Sequence, residues 1–452
     1  MELREPGAVL LISCYELGHA PHALAMAAAF LERAGYRPSC VDLSIDALPE
    51  DAVRAAGLAV LSVPMHTALR IGVAAAARIH QLAPSCRLGF IGMYAPMNAD
   101  YLRRLGADFV LGGELERDLV DAVSALERGV APPAGVRLGK LDFPRPARAG
   151  LPPLSRYAHL VDGDGRHRAI GYAETSRGCL DSCRHCPVPA VYGGRFFVVP
   201  RPVVVDDLVA QIEAGAEHIT FGDPDFLNGP GHSLAIARAL HERWPEVTFD
   251  VTTQISHLCA RPEVAGELAE LGCAFVVSAV ESLSDRVLEH LKKRHRRADV
   301  VRALELCRGA GLPMRPTFVS FTPWTTLDDV RELFDFIVDH DLIDHVDPIQ
   351  LAVRLLVPPG SLLLADPASS DAFGELDPAA LTHRWAHPDP RVDALQRRLA
   401  ARVEAGVVVD EDPRVTFAAL RDQVYAAAST QAPPLPVRPR PSIPRVTEPW
   451  FC

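Results

Sequence analysis

No stretch of this 452-residue chain approaches the roughly 20 consecutive apolar residues that a membrane helix needs, so no helical membrane span is expected. The start, MELREPGAVLLISC, carries charges of both signs and a strand-length apolar run, without the basic start, longer apolar core and small-residue cleavage site of a secretory signal. Positive charge is also short: 46 lysines and arginines stand against 57 aspartates and glutamates, a formal net charge of -11. That leaves no broad basic face for a nucleic-acid backbone. A disulfide framework is missing too, because three of the ten cysteines share one short stretch and the rest are scattered, which suits a reducing cytoplasm. The expectation is a cytoplasmic protein without membrane or nucleic-acid partners. At 48% hydrophobic residues and this length, the chain can bury two or three cores.

What is present is strand-helix alternation, twice. From Ala8 to about Val130 the apolar runs AVLLIS, PSCVDL, AGLAVLSVP, RLGFIG and DFVLGG are separated by helical patterns such as PHALAMAAAFLERAGY. Short strands buried on both faces, with helices between, indicate a doubly wound, Rossmann-like parallel sheet whose ligands bind beyond the carboxyl ends of the strands. The segment from Ala131, rich in proline, glycine and arginine, reads as a linker over 131–165. Alternation then restarts with HRAIGYAETS, HITFGD, VTFDVTT, AFVVSAVE, MRPTFVSFT and VDPIQLAVRL, six units that predict an open, partial (β/α)6 barrel over 166–360. Residues 361–452 add helical segments and a proline-rich tail of extended backbone.

The chemistry concentrates in GCLDSCRHCPV, residues 178–188, where Cys179, Cys183 and Cys186 follow the first barrel strand. A structural zinc ion would want four protein ligands, usually two separated pairs, and neither a second pair nor a Cys-His pair is near. An iron-sulfur cluster held by three thiolates instead leaves one iron open to another ligand. Cys259, Cys273 and Cys307 are spaced too widely to read as a cluster and are expected in the core.

The spacing Cys-x3-Cys-x2-Cys at the end of a first strand resembles the radical S-adenosylmethionine (SAM) superfamily. The resemblance implies a [4Fe-4S] cluster on these three cysteines, SAM chelated at the fourth iron, and reductive cleavage of SAM to methionine and a 5'-deoxyadenosyl radical, with protein groups orienting the cofactor. It implies SAM contacts for Asp223 and Asp225 in FGDPDFLNGP, although Gly, Asp, Pro and Asn also make ordinary turns. It implies the same for Glu281 and Ser282 at the end of the fourth strand in SAVESLSDRV. The basic run KKRHRR, Lys292 to Arg297, is either a solvated face or holds one residue that reaches the SAM carboxylate. LLVPPGSLLL, Leu355 to Leu364, resembles a Pro-Gly-Ser/Thr segment of cobalamin-binding members.

A doubly wound domain ahead of such a barrel resembles the subgroup with an N-terminal cobalamin-binding domain. The Asp-x-His-x-x-Gly signature that gives cobalt a histidine is absent, and the first loop reads SCYELGHAPH. His19 and His66 lie in strand-end loops suited to the cofactor; the other reading makes them ordinary loop histidines. The domain either binds cobalamin or keeps the fold without it.

The ending TEPWFC resembles radical SAM proteins whose chains finish Cys-Cys-Ala-Glu-Pro or, with selenocysteine, Cys-Sec-Ala-Glu-Pro. On that resemblance the sequence stops just before a selenocysteine, and Cys452 would be catalytic as a redox or soft-ligand group. The plain alternative is a solvent-exposed end.

Three functions compete. The first is a cobalamin-linked radical SAM enzyme, with methyl transfer to an unactivated centre as its expected chemistry. The second is a radical SAM enzyme whose terminal cysteine does redox, sulfur, selenium or metalloid chemistry. The third is a non-catalytic iron-sulfur sensor, which would not cleave SAM. Either enzyme needs an electron donor such as flavodoxin or ferredoxin and a small-molecule or peptide substrate that the sequence does not name.

Overall fold

The computed structural model describes residues 2–437 and 443–448. The first alternation forms a six-stranded parallel sheet from β1 (Val9–Ser13), β2 (Ser39–Asp42), β3 (Leu58–Ser62), β4 (Arg87–Ile91), β5 (Phe109–Gly113) and β6 (Gly135–Arg137). Their order is β2-β1-β3-β4-β5-β6. Side chains alternate across the sheet with period two. Leu10, Ile12, Ala59, Leu61 and Phe90 enter one core with the helix His66–Leu82. Val9, Leu11, Leu58, Val60 and Leu111 enter the other with helices His22–Arg33 and Glu116–Glu127. Burial on both faces is why these strands read as continuous apolar runs. The order reverses between β1 and β3, so a crevice opens at their carboxyl ends.

The segment expected as a linker is more engaged than its composition suggests. Its β6 extends the first sheet beside β5, and Phe143 is buried. Arg148 forms a bidentate pair with Asp207 at 2.7 and 2.8 Å and donates to the Tyr172 carbonyl at 2.8 Å. This guanidinium ties the connecting segment to the second sheet.

The second alternation begins with β7 (His159–Val161) and β8 (His167–Ala173). A small hairpin follows, β9 (Ser176–Gly178) with β10 (Phe196–Val198). Then come β11 (His218–Phe221), β12 (Thr248–Thr253), β13 (Cys273–Glu281) and β14 (Met314–Phe318). Past the short ladder of β15 (Leu376–Asp377) and β16 (Thr382–His383), β17 (Arg445–Val446) is the last strand described. The sheet order is β14-β13-β12-β11-β8-β7-β17, with β8 and β11 to β14 parallel and β7 and β17 antiparallel to their neighbours. It curls: Val446 on the last strand shares an apolar cluster with Leu160, Ile170, Phe275 and Val277, and Arg315 on β14 donates to the Pro444 carbonyl at 3.4 Å.

The expected sixth parallel strand, VDPIQLAVRL, does not form. Pro348 has no N–H for a ladder and opens the 3-10 turn Pro348–Leu351. The Gln350 side chain then accepts from the Phe318 N–H at 3.1 Å, and its carbonyl accepts from Ser320 Oγ at 2.7 Å. One isolated bridge, Phe321 to Arg354, is what remains of the pairing, so the half-barrel has five parallel strands.

Helices Pro390–Val408 and Pro413–Ala427 pack against each other behind this sheet. The described end of the tail, 443–448, docks through β17, and Tyr15 Oη donates to Glu448 Oε1 at 2.7 Å. Trp450, Phe451 and Cys452 lie outside the described residues. No described helix is long and apolar enough to cross a membrane.

Candidate functional site

The cysteine stretch leaves the end of β8 under firm local control. Asp223, at the end of β11 and 2% exposed, accepts from the Thr175 N–H at 2.9 Å, from Thr175 Oγ1 at 2.6 Å and from Ser176 Oγ. Gly178 has φ +77°, and a Cβ there would overlap the Arg195 carbonyl, so the turn into Cys179 requires glycine. Farther along, the Arg184 N–H donates to the Leu291 carbonyl at 2.9 Å and its guanidinium pairs with Asp366 at 3.0 Å. Ser361, in the Pro-Gly-Ser segment, donates to the Arg184 carbonyl at 3.3 Å. Cys186 then caps the short helix Pro187–Tyr192.

Cys179 and Cys183 are buried and Cys186 is partly so. Burial pushes the thiols up, Cys183 to about 11 and Cys186 to about 12, and each of these two thiols also feels the field of Cys179. The nearby Lys293 ammonium works against that rise at both. Among the described residues, the one trio of metal-ligating side chains whose donor atoms all lie within 4.8 Å is Cys179, Asp181 and Asp225. The three cysteines do not form such a trio, so a single ion would not be held by all three sulfurs. Three thiols on one loop supply the ligand number of a cluster that leaves one iron open, and lack the fourth ligand of a structural zinc site.

Glu281 stands beside them at the end of β13. It has φ +65°, a left-handed conformation unusual for glutamate, where the register of β13 with β14 shifts. Its Oε1 meets His185 Nε2 at 3.1 Å and Lys293 Nζ at 3.5 Å. Burial alone would push this carboxyl up, but Lys293 and His185 hold it down at about 2. Ser282 plays a local part, accepting from the Ser284 N–H at 3.1 Å ahead of helix Asp285–His290. Asp225 accepts from Thr253 Oγ1 at 2.8 Å and the Leu227 N–H at 3.1 Å, and pairs with His257 Nδ1 at 2.8 Å.

The basic run divides: Lys292, Arg294, Arg296 and Arg297 are exposed, whereas Lys293 and His295 turn inward. Lys292 takes φ +57° as the left-handed cap of helix Asp285–His290, and the Lys293 N–H closes onto the Leu288 carbonyl at 2.9 Å. This turn sends the Lys293 side chain inward, where it is 2% exposed. Arg294 pairs with Asp181 at 3.1 Å, and His295 is buried with Nε2 3.1 Å from the Val280 carbonyl. His185, Lys293 and His257 were not singled out in the sequence. His185 had a usable signal, its place between two of the cysteines, whereas Lys293 was hidden among five other basic or histidine residues.

A second feature is a cleft of about 230 Å³ between the carboxyl ends of the first sheet and the loop carrying the cysteines. Ser62, Gly92, Met93 and Gly113 line it on one side, and Tyr172, Glu174, Arg177 and Gly222 on the other. His19 and His66 stand outside it. His66 Nε2 contacts the Ala380 carbonyl at 2.7 Å. His19 packs on Tyr172 with ring centroids 5.1 Å apart, above a small cavity shared with Asp250, Arg315 and Glu448, and burial pushes it down to about 4.

Residues 173–337 match the family model of the Radical SAM superfamily. The half-barrel is a radical SAM domain. That domain class implies a [4Fe-4S] cluster and SAM, and the three-thiol donor set is the one such a cluster would use. A Methanocaldococcus jannaschii protein named as a methylthiotransferase is 24% identical over 261 residues, covering 54% of this chain and 55% of its own. The chain spans about half the length of the curated relatives it matches first. Two solved structures share the fold. The cobalamin-dependent SAM radical enzyme OxsB, with aqua-cobalamin and SAM bound, gives a TM-score of 0.67 at 13% identity over 92% of this chain and 72% of its own. The radical SAM methyltransferase TsrM from Kitasatospora setae, with tryptophan substrate, gives 0.60 at 18% identity over 74% and 71%.

Proposed function

We propose that this protein is a cobalamin-linked radical SAM enzyme that transfers a methyl group to an unactivated centre. The observation that carries the reading is the cleft, which sets the strand ends of a doubly wound domain against the cysteine loop of a radical SAM domain. Cys179, Cys183 and Cys186 would hold the cluster. When bound, cluster and SAM supply one-electron cleavage of a carbon–sulfur bond, and cobalamin supplies methyl carriage. The chain's own part is placement. Asp223 holds the turn into Cys179, and Arg184 ties the loop to helix Asp285–His290. Glu281 stays ionised between Lys293 and His185 and is placed to accept hydrogen bonds from a bound amine or hydroxyl. Asp225 and His257 form a second charged pair at the same end of the half-barrel. The buried walls exclude water from the reacting region.

Methyl transfer is preferred to sulfur insertion because Cys259, Cys273 and Cys307 are spaced too widely in the sequence to read as a second cluster motif. An electron donor of flavodoxin or ferredoxin type and a small-molecule or peptide substrate complete the proposal.

The deciding test is anaerobic reconstitution with iron, sulfide and hydroxocobalamin, then reduction with SAM and chromatography for 5'-deoxyadenosine. The expected outcome is deoxyadenosine with wild-type protein and none with Cys183→Ala, together with retained cobalamin. A cluster that forms without cleaving SAM would move the assignment to an iron-sulfur sensor.

A further inference from the structure

The cleft between the two sheets is rich in hydrogen-bond acceptors that lack donors. Ser62, wholly buried at the end of β3, has no partner for its Oγ. Glu116, 3% exposed, gives Oε1 to Arg177 at 2.7 Å and leaves Oε2 bare. Behind it, Glu114 Oε2 is also without a donor. Arg177 is the one cation among the described residues lining the cleft, and it faces three carboxylates: Glu116, Glu174 at 3.1 Å and Glu114 at 4.0 Å. One guanidinium cannot neutralise three carboxylates, and burial pushes Glu114 up to about 7 and raises Glu174 as well.

Buried acceptors without donors favour a ligand that brings N–H groups, and an excess of carboxylate disfavours one that brings negative charge. Resting on the cobalamin reading above, we propose that the cleft recognises the amide-bearing rim of a corrinoid through Ser62, Glu116 and Glu174, and so selects amidated corrinoids over their carboxylate forms. Primary amides at the rim donate to the bare oxygens. Carboxylates at the same positions meet like charge.

The test compares cobinamide with cobyrinic acid. Both carry the corrin ring and lack the nucleotide tail, one with amides and the other with carboxylates at its rim. Binding to the full chain at pH 8 is measured by equilibrium dialysis and visible absorption, with no turnover required. The expected result is a Kd for cobinamide at least tenfold below that for cobyrinic acid. Glu116→Gln, whose amide can donate to a carboxylate, should narrow that gap several-fold, and Ser62→Ala should weaken cobinamide alone. Equal binding of the two probes by wild-type protein overturns the selectivity while leaving the cobalamin reading in place. Binding of neither probe overturns both. Since the main comparison uses unaltered protein, a variant that folds poorly does not decide it.

Discussion

Strands β1, β3 and β5 of the first sheet carry VLLIS, LAVLS and FVLGG, buried on both faces, and their two hydroxyls, Ser13 and Ser62, sit at the strand ends. The concave face of the second sheet carries His218, Thr220, Asp250 and Arg315 instead. His218 Nε2 and Thr220 Oγ1 meet Asp250 at 2.9 and 2.6 Å, and Arg315 pairs with Asp347 at 2.9 Å. Stability in the first sheet is spread over many interchangeable apolar contacts. The second sheet has its own apolar core, with Ile219, Phe221, Phe249, Val251 and Phe318 buried, but its concave face and strand ends depend on particular polar partners. Damage to the apolar contacts of the first sheet should therefore lower stability and spare the cysteine loop, and damage to the polar partners of the second should do the reverse.

The largest expected effect is in the second region. Asp223→Ala removes the acceptor for three donors at Thr175 and Ser176, all in buried surroundings. A buried donor left without a partner costs about 1–3 kcal/mol. The turn into Cys179 should loosen, and iron bound per chain after reconstitution should fall several-fold while far-UV circular dichroism stays close to wild type. Normal iron content in Asp223→Ala would mean that the cysteine loop holds its shape without this anchor.

The same contrast explains what the sequence could disclose. The first sheet was legible because uniform burial writes itself as runs such as LAVLS. The cysteines were legible by spacing, and Glu281 by its place at a strand end. Lys293 was not, because its burial depends on the left-handed turn at Lys292, and nothing in KKRHRR distinguishes the residue that turns inward from those that face water. The sixth strand was misread because VDPIQLAVRL has strand-like composition; Pro348 and the Gln350 side chain divert its backbone bonds. The cleft was invisible for a simpler reason, since Ser62, Glu116 and Glu174 come together only when two distant segments pack.

A second prediction breaks the comparison from the other side. Phe90, fully buried on β4, packs in the core of the first sheet. Phe90→Ala should destabilise by about 3–5 kcal/mol through lost contacts and a residual cavity. Urea denaturation would measure the loss, and iron content per folded chain should be unchanged. A loss of iron equal to that of Asp223→Ala would show that the two regions do not separate as their packing suggests.

The smallest effect concerns two carboxyls that face each other in kind across this divide. Glu281 sits with a lysine and is held down at about 2, whereas burial pushes Glu114, at the edge of the first sheet, up to about 7, an effect that the one arginine it shares with two other acids does not offset. Their contributions to stability have opposite signs. A depressed carboxyl contributes stability that is present above its unfolded value of about 4.5 and lost as pH falls toward 2. A raised carboxyl contributes stability that is full below about 4.5 and lost as pH climbs through 7. Glu114→Gln keeps the shape, including an acceptor for Tyr192 Oη, now 3.2 Å from Glu114 Oε1, and removes the buried charge. At pH 8 it should be more stable than wild type by about 1–2 kcal/mol, and the gain should fade as the pH approaches 4.5. Glu281→Gln should be less stable than wild type at pH 8 and approach it as the pH falls below 4.5. Parallel thermal melts of both variants from pH 2 to pH 8 read the two signs directly, and slopes of the same sign would show that the acids at the cleft and at the cysteine loop are not set apart by their environments.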